Sequence, residues 1–444
     1  MSSESALEFS APERQEVSLR AYGRLLRGNG NFRRLWMAQI VSELGDWFYT
    51  IAIYTLLLNF TGRAQSLGLA LVLQVLPPAF AGPSAGVVND RVRRKRVMIT
   101  ADVVRAVVVL AMVLVRSRDW VPLAYTLLMA EAVMVSFFEP ARNSVIPNIV
   151  ERDEVIIANT LSSITWSFDL AIGATLGGIV LAFTGRDTVL ILNALSFVAS
   201  ALLVSRMKFD EPHAAGGEPL RPRDLVNYSP MIEGVRYMRS RPRLLATVFV
   251  KFGLGLFIGA TWVTYALMGE RMFAVHLGPA GRSGVLGMSL LIGARGLGAL
   301  IGPLGAANWA GQRNPRLRRG ILFGFCAAAV GVGLLSIAPN LWIAVLCVVL
   351  AHCGGSVVWT FSTTMLQLDS DDQFRGRVFA ADFGLCMIAI AVTSYAASAM
   401  VDAGVPLRTL ALYIGVFLLL PLFWWMGMQR LWREQRTNEM PIVD

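Results

Sequence analysis

Charge is scarce throughout this chain. Charged residues make up 16% of its 444 residues, where soluble domains carry about a quarter. A soluble protein of this length needs a polar skin, and there is too little charge here to build one. Lysine is scarcer still, with only Lys95, Lys208 and Lys251 among 40 basic residues. None of them follows a glycine, which excludes a P-loop lysine and therefore ATP-driven transport by this chain alone. The histidines, His213, His276 and His352, form no HExxH pair or metal cluster. Cys326, Cys347, Cys353 and Cys386 lie in apolar segments without CxxC spacing, so neither a disulfide framework nor a zinc site is indicated. No cofactor, bound metal or enzymatic activity is expected. The opening residues, MSSESALEFSAPERQEV, lack a basic start and an apolar run, so no cleavable signal peptide is expected.

What the chain does have is apolar length. Hydrophobic residues reach 55%, and the mean hydropathy is +0.56. They come in blocks of roughly 20 residues, the length that spans a hydrocarbon core at about 1.5 Å per residue. Six blocks lie near 34–59, 67–88, 97–115, 121–139, 157–183 and 187–205. Six more lie near 244–268, 283–307, 319–337, 341–365, 376–400 and 407–428. The expected fold is an all-α membrane protein of twelve transmembrane helices in two pseudo-symmetric six-helix bundles. The expected organisation is a polar tail over 1–30, an N-terminal bundle over 31–205, a linker over 206–243, a C-terminal bundle over 244–428 and a second tail over 429–444. Within the linker, Leu225 to Met238 reads as a short helix on the membrane face.

The net charge of +10 does not point to nucleic acid, because the cations fall between apolar blocks. With a cytoplasmic N-terminus, thirty Lys and Arg lie in cytoplasmic segments and seven on the opposite side. Basic loops stay inside. Both termini are therefore expected in the cytoplasm, with the chain in the cell's inner (plasma) membrane as a multi-pass protein. The two halves also repeat weakly. Gly86, Asn89 and Asp90 precede a basic cluster after the second block, and Gly305, Asn308 and Trp309 precede Arg313, Arg316, Arg318 and Arg319 after the eighth. Such repeats are one way transporters build alternating access around a midplane site.

Motifs narrow the reading. The run 86–96, GVVNDRVRRKR, resembles the major facilitator superfamily signature between the second and third helices, with Gly86, Asp90, Arg91, Arg94 and Lys95 at the matching positions. Asn31 to Trp36 with Ser42 to Trp47, Phe138 to Arg142 with Ile146-Pro147 and Ala158-Asn159, and Gln367 to Phe379 resemble its enterobactin-exporter and macrolide-efflux-like branch, the transmembrane secretion effectors. The resemblance covers nearly the whole chain. It implies a proton-coupled exporter of small amphipathic, drug- or siderophore-like molecules. The partners it implies are a small-molecule substrate, protons and membrane lipids, with no nucleic acid, acting as a monomer. There are departures. The antiporter motif of the fifth helix lacks its proline around Gly173-Ala174-Thr175-Leu176-Gly177-Gly178, and the fourth block carries Glu131 in place of the arginine of many proton-coupled relatives. A facilitator, importer or lysolipid flippase of the same fold therefore stays open, as does a non-transporting membrane sensor.

Two sets of candidate residues follow. The resemblance makes Gly86, Asp90, Arg91, Arg94 and Lys95, with Arg375 and Arg377 at the start of the eleventh helix, a gating latch that pairs in one state and releases in the other. Ionisable groups at membrane depth default to function because they are costly there. These are Asp46, Glu131 and Asp169 in the first half, and Lys251, Arg295 and His352 in the second. They form the expected proton-coupling or substrate cavity, an acidic wall facing a basic one. Lys251 is expected to snorkel. Glu43, Asp102 and Arg105 read as structural partners, and Asp382, near the start of the eleventh helix, as a support of the gate.

Overall fold

The computed structural model describes residues 19–211, 229–275, 284–310 and 314–439. Every regular element among them is helical. A short helix, α1 (Leu19–Gly28), precedes six long ones: α2 (Gly30–Thr61), α3 (Ala64–Arg91), α4 (Arg94–Ala111), α5 (Val121–Ile149), α6 (Val155–Thr184) and α7 (Arg186–Ser205). A second short helix, α8 (Ser229–Arg239), leads into α9 (Pro242–Arg271), α10 (Val285–Ala310), α11 (Asn314–Leu335), α12 (Leu341–Asp369) and α13 (Asp372–Asp402). The last crossing is α14 (Leu407–Phe417) continued by α15 (Leu419–Glu439).

Local chemistry sets the helix ends. Asn29 caps α2 by accepting from the Phe32 amide at 2.9 Å, and Asn340 caps α12 in the same way through Ile343 at 3.0 Å. Gly62 ends α2 with a left-handed φ of 67° while its amide bonds Leu58 O at 2.8 Å. That conformation suits glycine and turns the chain into α3 within two residues. Eleven crossings are long and apolar enough to span a bilayer by length and composition. The twelfth is α2. Its 32 residues suffice in length, but Gln39, Glu43 and Asp46 lower its hydropathy.

The structure adjusts several boundaries. The expected tail 1–30 contains α1, whose Ala21 and Leu25 are buried against the bundle. The second expected tail begins as a continuation of α15. The expected surface helix is present as α8, while its first residues, 225–228, lie outside the described residues. The fourth block does not end at 139. Helix α5 continues through Pro140 and Pro147 to Ile149 and carries Arg142 into the buried interior. The signature segment, expected as a loop, is mostly helix: α3 runs to Arg91, and only Val92 and Arg93 separate it from α4.

Helices α2–α7 pack among themselves, as do α9–α15. Two helix pairs form most of the seam between these halves, α3 with α13 and α6 with α10. They are equivalent under the twofold repeat, each joining the second crossing of one half to the fifth of the other. The seam is tight at the end of the molecule remote from the chain termini, here called distal. There the Asp402 carboxylate caps α3, accepting from the amides of Ala64 and Gln65 at 2.8 Å each. Gly68 lies against Ser394 and Ser398, and Gly178 against Ser289, so close that a Cβ at either position overlaps the neighbour. Gly293 and Gly296 continue this contact inward along Ala171 and Thr175. Toward the proximal end the glycines lose it. Gly86, Gly305 and Gly376 have nothing within 4 Å of an added Cβ. Small residues let the helices meet distally, while proximally an added Cβ at Gly86, Gly305 or Gly376 meets open space.

Candidate functional site

The first half is organised around a buried arginine whose sequence position suggests only a structural partner. Arg105 of α4 lies about 16 Å along its helix and keeps 3% of its side chain exposed. Its Nη2 donates to both Asp46 carboxylate oxygens of α2, at 2.8 and 2.7 Å. Its Nε donates to Glu131 Oε1 of α5 at 3.0 Å. Asp102, one turn earlier on α4, sits 3.7 Å from Nη1 and accepts from Ser200 Oγ of α7 at 2.6 Å. The Phe197 ring backs the guanidinium at 4.0 Å. One cation thus holds three carboxylates from three helices. Exposure separates the acids: Asp46 keeps 32% of its side chain accessible, Glu131 9% and Asp102 none.

A second cluster lies nearer the proximal end. Arg142 bridges Glu43 Oε1 of α2 and Glu139 Oε2 of its own helix, both at 2.7 Å. Asp169 of α6 is fully buried, and no basic or amide donor reaches either of its oxygens among the described residues. Contacts between α2 and α6 bracket it: Trp36 Nε1 donates to Thr165 Oγ1 at 2.8 Å, and Leu44 and Trp47 lie against Gly173. This register brings Asp169 beside Glu43, whose Oε2 is also buried without such a donor.

The second half differs. Lys251 does not snorkel. It is buried and donates to Asp382 Oδ2 of α13 at 2.8 Å and to Thr363 of α12 at 2.9 Å, with the Trp359 ring 4.7 Å away. Arg295 of α10 donates from Nε to His352 Nε2 of α12 at 3.1 Å and lies over the Trp262 ring at 4.0 Å. It forms no ion pair among the described residues. The expected acidic wall facing a basic wall is therefore not the arrangement found. Asp46, Glu131 and Glu43 are paired by Arg105 and Arg142 from their own half, and Lys251 by Asp382 from its own. Those partners lie one or two helices away in the same bundle, so they reach first.

The halves meet at midplane through aromatics. Trp47 of α2 stacks on Trp262 of α9 with ring centres 6.3 Å apart and 28° between planes. Trp166 meets Trp47 edge-on at 6.5 Å.

The latch residues are apart in this conformation. Asp90 is exposed, and among the described residues no ion pair joins it to Arg375 or Arg377. Arg94 donates to Asn89 O and Ser144 O, and Lys95 to Met207 O, tying α4 to its own half. Arg377 instead pairs with Glu233 of α8 at 2.5 Å. Around it, Arg241 binds Asp371 at 2.6 Å and Tyr237 stacks on Phe374 at 4.4 Å. Hydrogen bonding from Arg241, then from Tyr237, holds the Asp371 carboxyl below its ordinary range. The linker helix clasps the start of α13 where the signature loop was expected to.

Sequence comparison agrees with this architecture. The profile of the Major Facilitator Superfamily matches residues 35–394. A Bacillus amyloliquefaciens protein named as a putative bacilysin exporter, BacE, is 23% identical over 87% of this chain and 93% of its own length. Macrolide efflux protein A of Streptococcus pyogenes is 24% identical over 49% of this chain and 54% of its own. Among solved structures, the nucleoside transporter NupG superposes with a TM-score of 0.66 at 12% identity, over 89% of this chain and 98% of that one. The POT family transporter PepTSo gives 0.70 at 10%, over 91% and 98%.

Proposed function

The chain belongs to the Major Facilitator Superfamily of transporters, and from that premise we propose that it exports small amphipathic molecules across the plasma membrane, driven by protons, through alternating access. One observation carries the coupling: three carboxylates converge on the single guanidinium of Arg105, and of the three only Asp46 stays substantially accessible. Three negative charges against one positive are unfavourable at low dielectric, so a proton at this cluster relieves the excess. Loading and release through Asp46 changes the charge that α2, α4 and α5 share, and these helices move with their half. Asp169 beside Glu43 is a second proton-holding pair, since a buried carboxylate without a basic or amide donor is costly.

The loose proximal and tight distal seam supports one end-state of the cycle. The basic segments support a cytoplasmic proximal end, and in that orientation this state faces inward and is ready to take up cargo for export. In the opposite state the signature residues Gly86, Asp90, Arg91, Arg94 and Lys95 approach Arg375 and Arg377 and close that end. The relatives named for bacilysin export and macrolide efflux support the outward direction and an amphipathic cargo.

The test is flux in sealed proteoliposomes without ATP. A macrolide and a lipophilic dye are offered to wild type and to Asp46→Asn, Glu131→Gln and Asp169→Asn under an imposed pH gradient. Wild type is expected to concentrate at least one of them, and Asp46→Asn to lose the gradient dependence. Gradient-dependent flux that persists unchanged in Asp46→Asn ends the coupling proposal.

A further inference from the structure

Four buried cations lie at membrane depth, and three of them have carboxylates. Arg105 has Asp46 and Glu131, Arg142 has Glu43 and Glu139, and Lys251 has Asp382. Arg295 has none among the described residues, although it is 5% exposed. A guanidinium does not shed its proton to escape burial. Its stacking on Trp262 and its bond to His352 compensate only part of the lost hydration, and its Nη1 has no hydrogen-bond partner among the described residues.

The surroundings share that deficit. Trp262 Nε1 and Tyr265 Oη are both buried, and neither meets a partner at full hydrogen-bond geometry among the described residues. Tyr265 packs edge-on against the His352 ring at 5.4 Å, and His352 accepts from Arg295. Tyr54 of α2, which donates to Gln74 at 2.9 Å, lies near Arg295 across the seam. Three groups that can donate, one permanently charged, thus cluster around one acceptor nitrogen, His352 Nε2, with no carboxylate supplied by the described residues. Arg295 lies about 15 Å along α10, next to the Trp47–Trp262 stack where the two halves meet.

We infer that Arg295, with Trp262 and Tyr265, binds the anionic group of the transported molecule, a carboxylate or similar planar oxyanion, beside the apolar Trp47–Trp262 stack. The guanidinium fork matches a carboxylate in two parallel bonds. Such a site sits at the midplane between halves, where one bound ligand touches both. This inference rests on the transporter reading above and restricts its cargo to amphipathic anions.

The experiment uses the purified full chain in lipid nanodiscs and reads thermal stabilisation, which grows with ligand occupancy. The probes are matched pairs: benzoate and benzamide, 2-naphthoate and 2-naphthamide, N-acetylphenylalanine and its amide, with sodium chloride as the free-anion arm. At least one carboxylate is expected to bind about tenfold or more tightly than its amide. Arg295→Gln is expected to abolish that preference and Arg295→Lys to keep part of it. Trp262→Phe, which retains the cation, weakens binding without removing the preference for charge. Melting of each unliganded variant checks that it folds. Three outcomes overturn the inference: no carboxylate stabilises more than its amide, Arg295→Gln keeps the preference, or chloride alone reproduces the Arg295-dependent effect. If the preference holds while proteoliposomes show no gradient-driven flux, the anion site stands and the proton-coupled export reading falls.

Discussion

Replacing Arg105 by Gln removes the one cation that holds α2, α4 and α5 together at midplane. The guanidinium lies 2.7 Å from Asp46, 3.0 Å from Glu131 and 3.7 Å from Asp102. Two unit charges at 4 Å exchange about 4 kcal/mol at the effective dielectric of a protein. Removing one partner of a buried pair costs about 3–5 kcal/mol, because the other charge is stranded. Here up to three carboxylates are stranded together, so Arg105→Gln is expected at or above that range. It is read as a large fall in the melting temperature of the detergent-purified chain. Asp46→Asn alone leaves Arg105 with Glu131 and Asp102 and costs less. The double variant Arg105→Gln/Asp46→Asn strands one carboxylate fewer than Arg105→Gln, so it recovers part of the loss. A non-additivity of about 1–3 kcal/mol is expected, in the range for residues of one network. Arg105→Lys keeps the charge but not the planar fork that reaches Asp46 and Glu131 together, and it is expected to fall between. Additive single effects, or an Arg105→Gln chain that melts like wild type, refute the hub.

Other consequences are checked separately. Gly178→Leu puts a side chain into Ser289 at the distal seam, so thiol labelling of a cysteine at Gln65 is expected to speed up about tenfold or more as that end opens. Glu233→Gln frees Arg377 from α8, and hydrogen exchange at the start of α13 should rise while the melting temperature moves by under about 1 kcal/mol equivalent, since the pair is largely exposed. The Arg241–Asp371 contact has a fixed pH sense. The Asp371 carboxyl is depressed in the folded chain, so its contribution is present above the ordinary aspartate range and is lost only as pH falls below about 4. The protection of the α8 amides, that is, exchange relative to its intrinsic rate at each pH, should therefore stay flat from neutral pH down to that point. Lys251→Met is expected to destabilise strongly by stranding Asp382, and Lys251→Met/Asp382→Leu to recover most of the loss.

The crossings are legible in the sequence because apolar length is a one-dimensional property. Each block of about 20 residues reads without reference to its neighbours, and only α2 is partly hidden by Glu43 and Asp46. The motifs at 86–96 and 367–379 point to the family for a similar reason: they are local runs. The site is less legible because pairing is three-dimensional. Asp46, Glu131, Asp169, Arg295 and His352 are found at membrane depth as ionisable residues in apolar blocks. That Arg105 joins Asp46, 59 residues away, to Glu131 follows from helix packing, which periodicity does not encode. Arg142 reads as a loop residue because Pro140 and Pro147 suggest a helix end, yet α5 passes through both. Its interior position restores an arginine to the fourth crossing, whose apolar block holds none. A charged residue just beyond an apolar block was the available signal.

Proton-driven flux through sealed proteoliposomes tests the central claim most directly. Vesicles holding only the purified chain receive a macrolide or lipophilic dye, and an imposed pH gradient is the sole energy source. Uptake that follows the size and sign of the gradient, and collapses with a protonophore and in Asp46→Asn, is the expected result. Uptake that ignores the gradient, or is unchanged when Asp46 is neutralised, contradicts it.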